Sequence, residues 1–198
     1  MSVQPLGREE FGRIEDTDTI LSREEAMNIV TEWIVNEKLR LHCRQVGGLM
    51  EAWAKQQKYS ELEVEKWYLA GLLHDADWDK YPELHCQKII ELLESKHISP
   101  DILHAIASHS PRYFGVTPVS EMDKMIYAFD ELSGLVHAYS LMRSGYEGME
   151  VKGVTKKLKD KAFAAGVDRN DVYDACEKSG VTQEVIIRFV IDTQKNIV

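Results

Sequence analysis

Residues 70–85 read AGLLHDADWDKYPELH, an apolar helical run that stops at His74 and Asp75. Trp67 through Leu73 have the composition of a buried helix. Two polar side chains at its end are costly unless something inside the protein satisfies them. Asp77, Asp79, Lys80, Glu83 and His85 follow within the same stretch. A metal ion is one candidate partner for the His-Asp pair, and its other ligands must then come from elsewhere in the chain.

A chain of 198 residues that is 44% hydrophobic can fill one core. One helical domain over 1–198 is expected, with residues 1–20 as a loose end. The formal charge of −9 argues against a nucleic-acid polymer or an anionic membrane as partner, since both select basic surfaces. Cys43, Cys86 and Cys176 are odd in number and lack CxxC spacing, which indicates neither a disulfide framework nor a thiolate zinc site. The N-terminal residues have no apolar core of signal-peptide length, and no 18-residue apolar run occurs. A cytoplasmic, soluble protein is the expectation.

Helical periodicity runs through most of the chain, and an all-α fold is predicted. Ser22 and Glu25 form a capping box for a first helix ending near Asn36. A second should cover about Glu37 to Gln57, and a third should start after Ser60 and end at the His-Asp pair. Pro82 suits the first turn of a fourth, through Cys86 and Leu93. Pro100 opens a fifth and Pro111 marks its end. The longest is predicted from about Ser120 to Arg143. A lysine-rich segment, KGVTKKLKDK, then AFAAGVDRND precede helices near Asp171–Lys178 and Thr182–Lys195.

Helical spacing sorts the seven histidines by face. His42 shares a stripe with Val46 and Leu49, His85 with Ile89 and Leu92, and His109 with Ile102, Ala105 and Ile106, so all three turn inward. His104 lies about 140° from His109 on an ideal helix and is read as outward. Asp130 stands mid-helix between Ile126 and the small residues Ser133 and Gly134, which implies a cavity in front of it. His137 shares that face as a reserve ligand, and His97 reads as a helix C-terminal cap. A lone inward histidine is more often a hydrogen-bonded core residue. Three of them with a His-Asp pair and a mid-helix aspartate, drawn from five helices, are not required by any hydrophobic core. Imidazoles and carboxylates without thiolates suit a hard or borderline divalent ion: manganese, iron, magnesium or zinc.

The order His42, His74-Asp75, His85, His109, Asp130 resembles the HD-domain superfamily of metal-dependent phosphohydrolases, an all-α fold, over about residues 38–140. Residues from about 150 to 198 then form a C-terminal helical extension. The resemblance implies a core site of His42, His74, Asp75 and Asp130. His85 and His109 are similar to the extra ligands of the dinuclear branch, in which Asp75 would bridge two ions. One or two divalent ions, with cobalt or nickel added to the candidates above, are the implied cofactor. The chain looks like a small stand-alone member. It lacks the His-Asp-Ile-Gly-Lys run and the Gly-Tyr-Pro motif of the cyclic-dinucleotide branch.

The implied reaction is hydrolysis of a phosphomonoester or phosphodiester, in a small phosphorylated molecule or nucleotide, by metal-activated water. Asp75 and Asp77 are the catalytic candidates, Asp77 either orienting the water or lying in a solvated turn. Lys80 is read as a phosphate contact or as the neutraliser of Asp77 and Asp79, and Arg112 as an anion contact or a surface residue. Lys152, Lys156, Lys157, Lys159 and Lys161 read mainly as a solvated face, with Lys156 and Lys161 kept as substrate contacts. Two rivals remain: a di-iron HD-fold oxygenase acting on a polyol or phosphonate, and a non-catalytic metal- or nucleotide-binding module. The oligomeric state is open.

Overall fold

The computed structural model describes Leu6 and residues 17–197. Within them the chain forms ten α-helices and no strand: α1 (Arg23–Trp33), α2 (Glu37–Gln56), α3 (Glu61–Leu73), α4 (Gln87–Ser95), α5 (Pro100–Ser108), α6 (Pro111–Phe114), α7 (Glu121–Met142), α8 (Val151–Lys159), α9 (Arg169–Ser179) and α10 (Gln183–Gln194). The all-α prediction holds. Of the predicted loose end at residues 1–20, residues 1–5 and 7–16 lie outside the described set.

Helix starts follow local chemistry. Ser22 and Ser120 head complete capping boxes with Glu25 and Asp123, and Ser60 accepts from the Glu63 N–H. The first helix ends at Trp33, short of the predicted Asn36, because Asn36 serves instead as the N-cap of α2. Asp79 locks that junction by accepting from the backbone N–H groups of Val35 and Asn36 at 2.9 and 2.7 Å.

The predicted fourth helix is two elements. Pro82–Leu84 makes only a single 3₁₀ turn, and α4 starts at Gln87. Cys86 between them has φ 68°, a left-handed conformation that no α-helix continues through. The buried Asp77 carboxylate holds it there, accepting from Cys86 N–H at 3.0 Å and Ile89 N–H at 2.9 Å. Pro111 does more than end α5; it also opens α6.

Helices α2 and α3 pack closely. A Cβ on Gly71 would stand 2.9 Å from both Cα and N of Gly47, so the two backbones approach closely only because both residues are glycine. This contact sets His42 of α2 beside His74 at the end of α3. The long α7 packs on α2, α5, α9 and α10. Leu49, Leu72, Ile126 and Phe129 are fully buried at these contacts. Each contributes roughly 1.5–3 kcal/mol of apolar burial. Trp53, Phe129 and Phe189 join α2, α7 and α10 in one aromatic cluster. Lys66 of α3 is buried and ties Asp18 and Asp101 to itself at 2.6 and 3.2 Å, anchoring the segment ahead of α1. No helix among the described residues is long and apolar enough to cross a membrane.

Candidate metal centre

Five segments deliver polar side chains to one point. His42 comes from α2, His74 and Asp75 from the end of α3, and His85 from the turn before α4. His109 ends α5, and Asp130 projects from the middle of α7. His74 and His109 both occupy helix C-caps, where the macrodipole favours positive charge.

Two ligand sets share one carboxylate. His42, His74, Asp75 and Asp130 form the first, and Asp75, His85 and His109 the second, with potential ligand atoms in each set within 4.8 Å of one another. Asp75 Oδ2 lies 3.7 Å from His42 Nε2 and 3.4 Å from His74 Nε2. Its other oxygen, Oδ1, lies 3.3 Å from His85 Nε2 and 3.7 Å from His109 Nε2. Asp130 Oδ1 accepts from His42 Nε2 at 2.9 Å and stands 3.4 Å from His74 Nε2. Two ligands on one ion with bonds of about 2.1 Å stand roughly 3.0–3.4 Å apart at octahedral or tetrahedral angles.

The decisive atom is His74 Nε2. It is fully buried and has no hydrogen-bond partner. Its ring is fixed from behind, because Nδ1–H donates to the Gly71 carbonyl at 2.8 Å. Nε2 is thereby aimed between two carboxylates that it does not bond. A buried polar atom left unsatisfied costs about 1–3 kcal/mol, and a bound cation removes that cost. His109 is oriented the same way by the Ile106 carbonyl at 2.6 Å, and His85 by Asp77 Oδ1 at 2.7 Å. Such outer partners set which ring nitrogen faces an ion. The residues present therefore fit one or two divalent ions.

The charge states of the metal-free cluster couple ion binding to proton release. Burial alone would depress His74 and His85, but Asp75 with Asp130, and Asp75 with Asp77, outweigh it and raise both imidazoles to about 9. Burial, reinforced by His74, lowers His109 to about 4. Burial opposes ionisation of Asp75, yet His74 and His85 hold it below the ordinary carboxylate range. In metal-free protein near pH 7, His74 and His85 therefore carry protons that an ion must displace. Their raised values stabilise the metal-free fold fully below about 6.5, a contribution lost as pH rises through about 9. Metal uptake near pH 7 should accordingly release about two protons, and apparent affinity should rise with pH up to about 9. Calorimetric titration in buffers of different ionisation enthalpy measures this; proton-neutral uptake would contradict it.

Residues 40–135 match the sequence model of the HD-domain family. Over those residues the chain carries an HD domain. No curated protein and no solved structure gives a significant match. The HD domain contains every residue of both ligand sets, and its family consists mostly of metal-dependent phosphohydrolases.

The cluster opens on a cavity of about 360 Å³ lined also by Trp78, Tyr113, Phe114, Glu131 and Asp168. Several expectations need correction here. Asp77 neither faces this cavity nor lies in a solvated turn: it is fully buried and accepts from His85, Cys86 and Ile89. Lys80 pairs with Glu32 at 3.0 Å, away from the cavity lining. Arg112 is committed to Asp171 at 3.0 Å and Asp168 at 3.5 Å. Lys156 and Lys161 are exposed and do not line the cavity. His104 is buried rather than outward, because α5 is covered on both sides, and its Nδ1 bonds Asp123 at 2.8 Å. His137 is satisfied by Gln45 and Tyr146 and joins neither set.

Glu131 and Asp168 escaped the sequence reading. Glu131 directly follows a ligand in the pair Asp130-Glu131, and Asp168 was legible only as an N-cap signal for α9. Burial, with Asp130 and Asp171, pushes Glu131 up to about 9.

Proposed function

We propose that the protein is a metal-dependent phosphohydrolase acting on a small phosphoester. The observation that carries this reading is the division of Asp75: each of its oxygens faces a separate imidazole-containing set, and both sets border one cavity. Divalent ions held there would lower the pKa of a bound water and neutralise phosphoryl oxygens. The chain's own part is positional. Gly71, Ile106 and Asp77 hold three imidazoles by Nδ1, so the Nε2 atoms converge without rearrangement. Asp75 and Asp130 supply the negative charge that offsets the ions. Trp78, Tyr113 and Phe114 narrow the cavity and limit water beside the reacting group.

A panel of phosphomonoesters and phosphodiesters, tested with manganese, magnesium, cobalt, nickel, zinc and iron, examines the reading. Hydrolysis that requires added metal and disappears with a chelator is expected. A cavity lined by no lysine or arginine among the described residues also suits the di-iron oxygenase alternative acting on a polyol. Oxygen consumption by the iron-loaded protein, without phosphate release from any ester, would favour that alternative.

A further inference from the structure

Gly134 stands inside α7, where the backbone gives no reason for a glycine. A glycine in a helix interior lowers the folding equilibrium about 2- to 5-fold relative to alanine, because more chain freedom is lost on folding. The residue is useful where the chain must turn left-handed or where another part of the protein needs the space. Neither holds for Gly134. It lies within the regular helix Glu121–Met142, and no neighbouring group comes within 4 Å of where its Cβ would stand. The other glycines inside the described helices are all crowded. A Cβ would stand 3.2 Å from the Tyr68 carbonyl oxygen at Gly47, 2.6 Å from Ile197 at Gly48, 2.9 Å from the Gly47 Cα at Gly71 and 2.8 Å from the Tyr139 hydroxyl at Gly153. Each of these makes room for a neighbour. Gly134 makes room for none within the described protein.

The open space in front of Gly134 is the cavity beside the metal centre, which Gly134 lines. Gly134 follows the ligand Asp130 by four residues, so the two share a face of α7, one turn or about 6 Å apart along the axis. Leu39 lines the same cavity, three residues before the ligand His42 on α2. Asp130 and His42 meet at 2.9 Å. The cavity therefore runs past the first ligand set by a helical turn, over backbone that bears no side chain. Its volume, about 360 Å³, falls in the range of organic-ligand pockets, about 300–1,000 Å³.

We infer that Gly134 is a specificity-determining residue: the organic group esterified to the phosphoryl centre lies over Gly134, and the missing side chain sets the size that fits. The inference rests on the hydrolase reading for which end of the ligand this is. An ester substituent on a phosphoryl group at Asp130 reaches Gly134 by spanning one turn of α7, about 6 Å, which a six-membered ring with its ester oxygen does. A methyl group at residue 134 would crowd such a ring. A leucine there would fill its place.

Phenyl phosphate, phenylphosphonate and inorganic phosphate test this in manganese-loaded wild-type, Gly134→Ala and Gly134→Leu proteins. Alanine favours the helix over glycine, so Gly134→Ala should raise Tm by about 1–4 °C. Metal content and the calorimetric Kd of inorganic phosphate, which has no organic part, should stay within about twofold of wild type in both variants. Wild-type protein should bind phenylphosphonate at least as tightly as inorganic phosphate. Phenylphosphonate affinity and kcat/KM for phenyl phosphate should fall about 10-fold in Gly134→Ala and at least about 100-fold in Gly134→Leu, since one carbon in a close-fitting pocket is worth about 10- to 200-fold. A lower Tm for Gly134→Ala, wild-type binding of phenylphosphonate weaker than that of phosphate, or phenyl ligands indifferent to both substitutions each overturns the inference. So does a parallel loss of inorganic phosphate, which places the effect at the ions. If phenylphosphonate behaves as expected while wild-type protein hydrolyses no ester, the place of Gly134 is supported and the hydrolase reading is overturned.

Discussion

Asp75→Ala protein is expected to lose bound divalent metal and phosphohydrolase activity together while keeping its helical content. Asp75 belongs to both ligand sets, so no other single substitution reaches both. Removing a partner behind a ligand costs roughly 10–100-fold in affinity or activity, and removing a ligand common to two ions should exceed that. The side chain lies at the floor of the cavity rather than in the apolar core. Its loss therefore leaves helix packing intact, although it strips His74 and His85 of a counter-charge. Asp75→Asn is the control for shape, because it keeps the volume and removes the charge. Elemental analysis, activity and far-UV circular dichroism should be read on the same preparations. A folded Asp75→Ala protein that keeps its metal and its activity would contradict the bridging assignment.

Asp77→Asn should weaken stability and activity through different routes. In the wild-type chain Oδ1 accepts from His85 Nδ1 and Cys86 N–H, and Oδ2 accepts from Ile89 N–H. An asparagine has one acceptor oxygen. If the oxygen faces His85, the amide NH₂ confronts Ile89 N–H; if the amide faces His85, it confronts Cys86 N–H. Either rotamer leaves a buried backbone donor unsatisfied, a cost of about 1–3 kcal/mol. The second rotamer also offers His85 Nδ1 a donor, which favours the tautomer with its proton on Nε2, the atom that faces Asp75. Affinity at the second metal set should then fall roughly 10–100-fold, with the first set less affected. Thermal melts and metal titrations check the two effects separately. Unchanged metal stoichiometry and affinity in a stable Asp77→Asn protein would remove Asp77 from the account.

This residue also shows where the sequence was legible and where it was not. The ligands could be read because each carries two signals at once: a metal-binding side chain and a place on an apolar stripe, as with His42 beside Val46 and Leu49. His85 faces inward as expected, but not by helical phase. It precedes α4 in extended backbone, held by a contact from Asp77, eight residues earlier, that no periodicity encodes. His104 was misplaced for a related reason, since the outward phase of α5 is covered by the Asp123 end of α7. Charged residues proved least legible. Lys80, Arg112, Lys156 and Lys161 were candidates because phosphate attracts cations, yet the first two have acidic partners and the others face solvent. Asp168 lines the cavity only because residues 160–168 fold around Arg169, whose guanidinium donates to carbonyls of that segment, and the turn carries no motif that points to the site.

Anomalous diffraction from crystals of the protein loaded with manganese tests the central claim most directly. Two peaks are predicted, one among His42, His74, Asp75 and Asp130 and one among Asp75, His85 and His109, separated by about 3.5–4 Å with Asp75 between them. Peaks only at other positions, or His74 Nε2 still without a ligand in the loaded crystal, would contradict it.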